Sequence, residues 1–505
     1  MSYMCGKLCS AILLQHFGET VESVGDCLFK NNKQTVPFII SKLRLPPNKV
    51  RESLCVLIRF GLVSYEQEEK EPIRYVLDYD KVLNILRYSR FMLFIKKCSG
   101  DESEIMFEEV LKNGYETASQ VIIRAYEKIS KVNKIPSVEL LYEQFQTMVK
   151  NQFLIRNTPE NNKNDKTSSI GNTDFDVPKL NLEEIQKIVD KAINSEGKTG
   201  FSDDNIYWKV NFDRLIQDLR DEIIVETVGR IYDNDAAELM RRLIFLMYTR
   251  TASWAPTSNP IPFHEIREDI RKLNIPKLTQ YLDQYLQIIV EDSRRFVKRV
   301  GDSGGGQFSI DVKEIMSQLA WATVENVVLE RFGSKAARIF RLVRHEKFIE
   351  EDKIKQIAMM PEREIKELMY ILLDKNYLQV QEVKKSTAPT APMKGIFLLH
   401  INFNHVVRMV VEHCYHALYN TILRRNHVTT TNDSLMDKHL RLETVLSNLE
   451  AMNADPAQID QVRLLLTPAE KIQVDKVKTT TKTLGTAELF IEDTLFLLKM
   501  YLRYH

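Results

Sequence analysis

Leu57-Ile58-Arg59-Phe60-Gly61-Leu62-Val63 closes a helix and opens a strand. Two apolar residues end the helix, mixed residues follow, and an apolar pair starts the strand. The same layout returns at Met148-Val149-Lys150-Asn151-Gln152-Phe153-Leu154 and at Leu372-Leu373-Asp374-Lys375-Asn376-Tyr377-Leu378. Gly61 and Asn376 suit the left-handed backbone that terminates helices.

Working outward from the first copy, Pro46 and Pro47 sit where a helix begins, since a proline at the first helical position loses no intrahelical bond. Val50, Leu54, Leu57 and Ile58 then share one helical face. Residues 8–17 and 36–43 are further amphipathic segments, and 63–67 with 74–77 flank a charged turn as a β-hairpin. Three helices and a hairpin make a winged helix, a helix-turn-helix variant. Around the third copy, helices over 336–343, 351–357 and 362–373 precede a hairpin of 378–383 and 396–400, whose Pro/Ala/Thr-rich turn, 384–395, is expected to be disordered. A further unit places helices at 236–249, 263–273 and 277–290 and a wing of 296–300 with 307–310 across Gly304-Gly305-Gly306, although its helix end departs from the pattern.

The polar stretch 157–178 reads as a flexible linker. Beyond Asn404 long helices take over. Leu435, Leu442 and Leu449 are seven apart, with Val445 and Met452 between them, as in a coiled coil. The helix restarts at Asp455-Pro456, carrying Ile459, Val462 and Leu466, and again at Thr467-Pro468-Ala469-Glu470, which has capping-box spacing. The short break at 453–456 implies an antiparallel return, and the apolar segment 489–502 should dock. The expected fold is mainly α with small β-hairpins: tandem extended winged-helix domains followed by a C-terminal antiparallel helical hairpin or coiled coil. The boundaries are winged helices at 1–88, 89–156, 180–310 and 311–403, a linker at 157–179, and the helical hairpin at 404–505.

The composition narrows the function. Lys and Arg (70) nearly cancel Asp and Glu (69), a formal charge of +1 over 505 residues. A free-standing, sequence-blind DNA binder carries a large positive excess, so nucleic-acid contacts here are local and assisted by partners. With 17 Gly and 16 Pro, long helices are favoured over a turn-rich β fold. No apolar run reaches the ~18–20 residues of a membrane span, and the patch 11–14 has no basic segment before it, so no signal peptide is read. Six scattered Cys fit reduced thiols in cytosol or nucleus.

Chemical motifs fail on context. Gly197-Lys198-Thr199 resembles the end of a phosphate loop, but Ala192 stands where the first Gly belongs and 182–193 reads as helix. Gly304 to Gly306 is a wing turn. Cys5 with Cys9, and His413 with His416 around Cys414, lie too far apart in the chain and on helices to form a zinc site; the cysteines read as small apolar residues. There is no Gly-x-Ser-x-Gly and no His-Glu-x-x-His, and Glu183-Glu184 and Glu350-Glu351 read as solvated helix faces. No catalytic role, cofactor or metal is expected.

The functional lead is basic. Phosphate binding needs uncompensated Lys or Arg. The first unit's third helix offers Lys49, Arg51 and Arg59 against Glu52, and the third unit's wing offers Arg294, Arg295, Lys298 and Arg299. Strand alternation pairs Arg295 with Arg299 on the outward face. In the last unit Arg363, Lys366 and Lys375 are offset by Glu362, Glu364, Glu367 and Asp374, and the second unit's third helix carries Glu139 and Glu143. The second and fourth units therefore look like protein-binding modules.

The opening Cys9-Ser10-Ala11-Ile12-Leu13-Leu14-Gln15-His16-Phe17-Gly18, residues 21–28, the helix and strand of 46–63, and the tandem plan together resemble the winged-helix subunit of the RNA polymerase III-specific initiation heterotrimer, a family similar to the alpha subunit of transcription factor IIE. The resemblance covers essentially the whole chain. It implies a nuclear, non-catalytic subunit that binds two sister subunits and the clamp of the core enzyme, takes part in promoter opening and contacts single-stranded or melted DNA. It implies a hetero-oligomer, not a homo-oligomer, and no membrane. The alternative is a helical scaffold of the proteasome-lid or initiation-factor type, with one winged helix after a solenoid. Three or four dispersed hairpins would separate the two.

Overall fold

The computed structural model describes residues 2–505 except 67–71, 131–136, 158–174, 176, 179, 182–184, 187–202, 204, 274, 386–393, 452–461 and 463. The chain forms two compact units, Met1–Leu219 and Arg220–His505. The sequence motif at 197–199, the turn over 384–395 and the break at 453–456 lie wholly or mostly outside the described residues.

In the first unit, α1 (Tyr3–Phe17) starts where the Ser2 hydroxyl accepts from the Met4 and Cys5 amides. It buries Leu8, Cys9, Ile12 and Leu13 against α2 (Glu19–Asn31). Then come α3 (Val36–Leu43), α4 (Pro47–Arg59), β1 (Val63–Glu66) and β2 (Arg74–Leu77), with Val63 opposite Leu77. Gln34, between α2 and α3, exchanges backbone bonds of 3.1 and 2.8 Å with Tyr75 and adds a third edge to the hairpin.

This plan repeats. After α5 (Tyr79–Asn84) and α6 (Tyr88–Ser99) come α7 (Asp101–Asn113), β3 (Tyr115–Thr117), α8 (Ala118–Ser130), α9 (Val138–Lys150), β4 (Leu154–Arg156) and β5 (Tyr207–Val210), in a sheet of order β3-β5-β4. α10 (Phe212–Ile231) runs through the division between the units. In the second unit α11 (Asn234–Arg250), β6 (Ile261–Pro262), α12 (Phe263–Lys272), α13 (Pro276–Glu291), β7 (Val297–Gly301) and β8 (Gln307–Ile310) form a sheet of order β6-β8-β7. α14 (Val312–Glu346) is interrupted at Gly333, which has φ 86°. Its second half opens the last winged helix, continued by β9 (Phe348–Ile349), α15 (Glu351–Ala358), α16 (Glu362–Asp374), β10 (Gln379–Lys385) and β11 (Lys394–His400), in the order β10-β11-β9. Each time a short strand before the second helix pairs with the last strand of the wing. The hairpins are dispersed along the chain, which excludes a scaffold with one terminal wing.

The recurring heptapeptide is a helix stop. Leu62 N bonds Leu57 O and Gly61 N bonds Ile58 O, both at 2.9 Å. Phe153 with Met148 and Gln152 with Val149 repeat this, as do Tyr377 with Leu372 and Asn376 with Leu373. These are paired 6→1 and 5→2 bonds, a Schellman cap. Gly61, Gln152 and Asn376 all have positive φ, at 67°, 63° and 59°. The apolar pair that follows each one is buried. In the third winged helix the left-handed residue is Arg295, φ 56°, and the buried pair is Phe296 and Val297. Here α13 ends on an extended Asp292 and a turn intervenes, with Arg295 N bonding Asp292 O at 3.1 Å. That extra turn is why the pattern was obscured in the sequence.

One expected boundary is corrected. β5, assigned from sequence to the third winged helix, is the central strand of the second one's sheet, pairing Leu154 with Val210 and Tyr115 with Lys209. Trp208 on it is fully buried, its ring edge-on to Phe145 at 5.9 Å. Buried Asp203 accepts from the Ser119 amide (2.9 Å) and hydroxyl (2.7 Å), capping α8 from 84 positions away. The stretch 157–179, mostly outside the described residues, thus interrupts a wing instead of separating two domains.

The C-terminal helices α17 (Phe403–Thr431), α18 (Asp433–Ala451) and α19 (Pro468–Tyr504) form the expected antiparallel hairpin. Bonds from Tyr501 to Asn404 (2.6 Å), Gln473 to Asn432 (2.9 Å) and Lys438 to Glu470 (2.8 Å) fix its direction. The Thr467–Glu470 capping box forms as its spacing predicts. The end of α19 docks: Leu495, Phe496, Leu498 and Tyr501 are buried. Tyr504 accepts from the wholly buried Arg220, which also donates to Asp221 (2.7 Å) and Tyr248 (2.6 Å). A buried guanidinium is tolerated only with such complete pairing.

Candidate nucleic-acid interface

In a winged helix the elements free to meet nucleic acid are the helix-turn-helix and the wing. α4 is held to its core by Val50, Leu54 and Leu57, leaving Lys49, Arg51 and Glu52 exposed. Arg44, exposed at the left-handed end of α3, joins them across the turn. None of Arg44, Lys49 and Arg51 forms an ion pair among the described residues. Arg59 is used differently. Its Nε donates to Asn113 O at 2.6 Å and its guanidinium lies 5.2 Å from the centre of the Tyr115 ring. Gly114, φ 78°, must be glycine there, because a Cβ would stand 2.7 Å from Arg59 O. Arg59 therefore joins the first two winged helices, which commits part of its guanidinium to packing.

The third wing also differs from its expected form. The strand starts at Val297, so alternation cannot be run from Arg294, and Phe296 and Val297 are both buried. Arg294 lies near Asp292 (3.6 Å), Lys298 pairs with Asp311 (2.6 Å), and Arg299 pairs with Asp302 (2.9 Å). Their charge is largely compensated where they stand. Arg295 is exposed and has no ion pair among the described residues, but it sits in the turn, not on a strand face shared with Arg299.

Further uncompensated charge of this winged helix lies away from the wing. Arg271 and Lys272 end α12 and Lys277 begins α13; all are exposed and without ion pairs among the described residues. An open concavity of about 480 Å³ is lined there by Arg271, Pro276, Thr279 and Gln280. No spacing in the sequence marks these residues, because they fall at the two ends of a turn and not on one helix or strand face. The available signal was their place, which matches that of Arg44 and Lys49 about the turn before α4.

In the fourth winged helix the cations singled out from sequence are paired with carboxylates. Lys355 pairs with Glu351, Asp352 and Glu362, Lys366 with Glu362, Arg363 with Glu367, and Lys375 with Asp374. On α9, Glu139, Leu140 and Glu143 are exposed. Elsewhere, Cys5, Cys9 and Cys414 are buried among apolar side chains, and burial pushes the Cys414 thiol up to about 11. His413 Nδ1 lies 2.9 Å from Arg331, and burial and that guanidinium hold its pKa down.

Comparison with known proteins is consistent along the whole chain. Residues 7–68 match the family profile described as the RNA polymerase III subunit RPC82 helix-turn-helix domain, and 120–319 match RNA polymerase III subunit RPC82. Residues 324–401 match the POLR3C C-terminal winged-helix domain, and 434–497 the helical hairpin domain of DNA-directed RNA polymerase III subunit RPC3. The chain is 32% identical to the DNA-directed RNA polymerase III subunit RPC3 of Mus musculus over 525 residues and to that of Homo sapiens over 524. It is 30% identical to that of Danio rerio over 532. Each alignment covers 98% of both proteins.

Proposed function

Since this chain belongs to the RPC3 family of RNA polymerase III subunits, we propose that it acts in initiation, where its first and third winged helices hold melted promoter DNA. Membership of that family makes it a subunit of a polymerase complex, partnered by other polymerase III subunits, and implies a nuclear location. Within the complex we assign it a non-catalytic role, with two sister subunits and the clamp as neighbours. The observation that carries the reading is the pair of unneutralised turns, Arg44/Lys49/Arg51 and Arg271/Lys272/Lys277, on a chain whose formal charge is only +1. Cations without ion pairs bind phosphate and release counterions without first breaking a bond within the protein.

The test is a salt titration of single-stranded DNA affinity, using the full chain. Replacing Arg271, Lys272 and Lys277 together by Ala should weaken binding and lower the slope of log K on log salt by about 2, as loss of three single-strand phosphate contacts requires. Replacing Arg44, Lys49 and Arg51 should give a separable loss of similar size. Replacing the Asp-paired Arg294, Lys298 and Arg299 should do less. Unchanged affinity and slope in both of the first two variants would overturn the proposal and leave DNA to the partner subunits.

A further inference from the structure

A groove of about 440 Å³ opens in the third winged helix, lined by Tyr232, Asp233, Tyr281, Tyr285 and Ile288 among others. It lies between the start of α11 and the middle of α13. Ile288 is 55% exposed and Tyr281 44% exposed, so apolar and aromatic surface faces solvent there. The groove also holds charge of one sign. Asp233 caps α11 through Ala236 N (2.7 Å) and accepts from Tyr285 Oη (2.7 Å), yet remains exposed. No residue lining the groove is cationic. The nearby Arg230 is held by Glu226 at 2.6 Å. α13 departs from helical geometry at Tyr281 (φ −109°, ψ 20°), beside the opening.

We propose that this groove docks a partner polypeptide segment presenting a Lys or Arg next to an apolar side chain. The cation meets the Asp233 carboxylate and the faces of the tyrosines, and the apolar neighbour covers Ile288 and Tyr281. Aromatic faces attract cations electrostatically, and tyrosine pockets are frequent anchors of protein interfaces. The hydrogen bond to Asp233, with burial, pushes the Tyr285 phenol up to about 12, so the phenol keeps its proton and remains a donor to that carboxylate. This site is independent of the cationic turn at Arg271–Lys277. The same helix carries positive charge at its start and a negative groove farther along, which suits two ligands of opposite charge.

The test uses the full chain and labelled, overlapping synthetic peptides covering the other polymerase III subunits, read by fluorescence anisotropy. Peptides that bind should carry Lys or Arg, and replacing that residue by Gln should weaken binding to a small residue carried by the apolar contacts. Tyr281→Ala and Ile288→Ala should each weaken binding about tenfold. Asp233→Asn keeps a capping side chain but removes the charge. It should weaken cationic peptides and leave the residual binding of their Gln versions unchanged. Thermal unfolding of the Tyr281 and Ile288 variants should match the parent, because both side chains are exposed. The salt slope for DNA should be unaltered by all three changes, which separates this proposal from the DNA-binding one. Absence of any binding peptide, binding that does not need a cation, or affinities unaffected by the three substitutions would overturn it.

Discussion

At the scale of single residues, the fold is punctuated by the left-handed position that ends the third helix of the first, second and fourth winged helices. Gly61 occupies it without strain, and asparagine, as at Asn376, tolerates it better than most side chains because it is short and polar. Gln152 has neither advantage at φ 63°. A side chain in this region costs roughly 1–2 kcal/mol. Gln152→Gly should therefore stabilise the first unit by about 1 kcal/mol, after allowing for the greater freedom of glycine in the unfolded chain. Gln152→Ile should destabilise it by about 1–2 kcal/mol, since β-branched residues fit this region worst. Urea midpoints measure both. A Gly variant no more stable than the parent would show that the turn is not strained. The same scale separates the candidate cations: Arg59, Lys298 and Lys49 look alike in sequence. Only an oxygen of Asn113 beside the first, Asp311 beside the second and solvent beside the third distinguish them.

At the scale of elements, β5 decides where the second winged helix ends. It brings Trp208 under Phe145, and Asp203 just before it caps α8. Loss of a buried large aromatic costs about 3–5 kcal/mol, and loss of a cap about 1 more. A fragment of residues 1–219 should unfold cooperatively, with Trp208, its sole tryptophan, emitting as a buried indole. A fragment of residues 1–156 lacks the strand and the cap, and its second winged helix should fail to unfold cooperatively. Circular dichroism and fluorescence melts compare the two. Equal cooperativity in both fragments would mean that β5 is dispensable.

At the scale of the whole molecule, the near-zero charge and the internal use of the long helices point to one copy acting within a larger assembly. The coiled-coil repeat at Leu435, Leu442 and Leu449 is half-buried, and α18 is tied to the chain's own α19 through Lys438 and Glu470. A repeat paired within the chain leaves less of its seam for a second copy. Light scattering of the isolated chain at micromolar concentration should report a monomer. A homodimer that persists on dilution would contradict this.

The amino-acid sequence by itself determined the unit that repeats, because helix periodicity, proline starts, left-handed stops and short β-hairpins are local and recur within a few tens of residues. It also determined the helical hairpin and its capping box, and the family resemblance that the comparisons bear out. Tertiary structure alone decided which strand completes the second sheet, since the partner of Leu154 is Val210, beyond a long insertion. It alone decided which cations are uncompensated. Whether Lys298 or Lys277 keeps its charge for a ligand depends on whether a carboxylate arrives beside it. That is a matter of packing between separate elements, which no local spacing encodes.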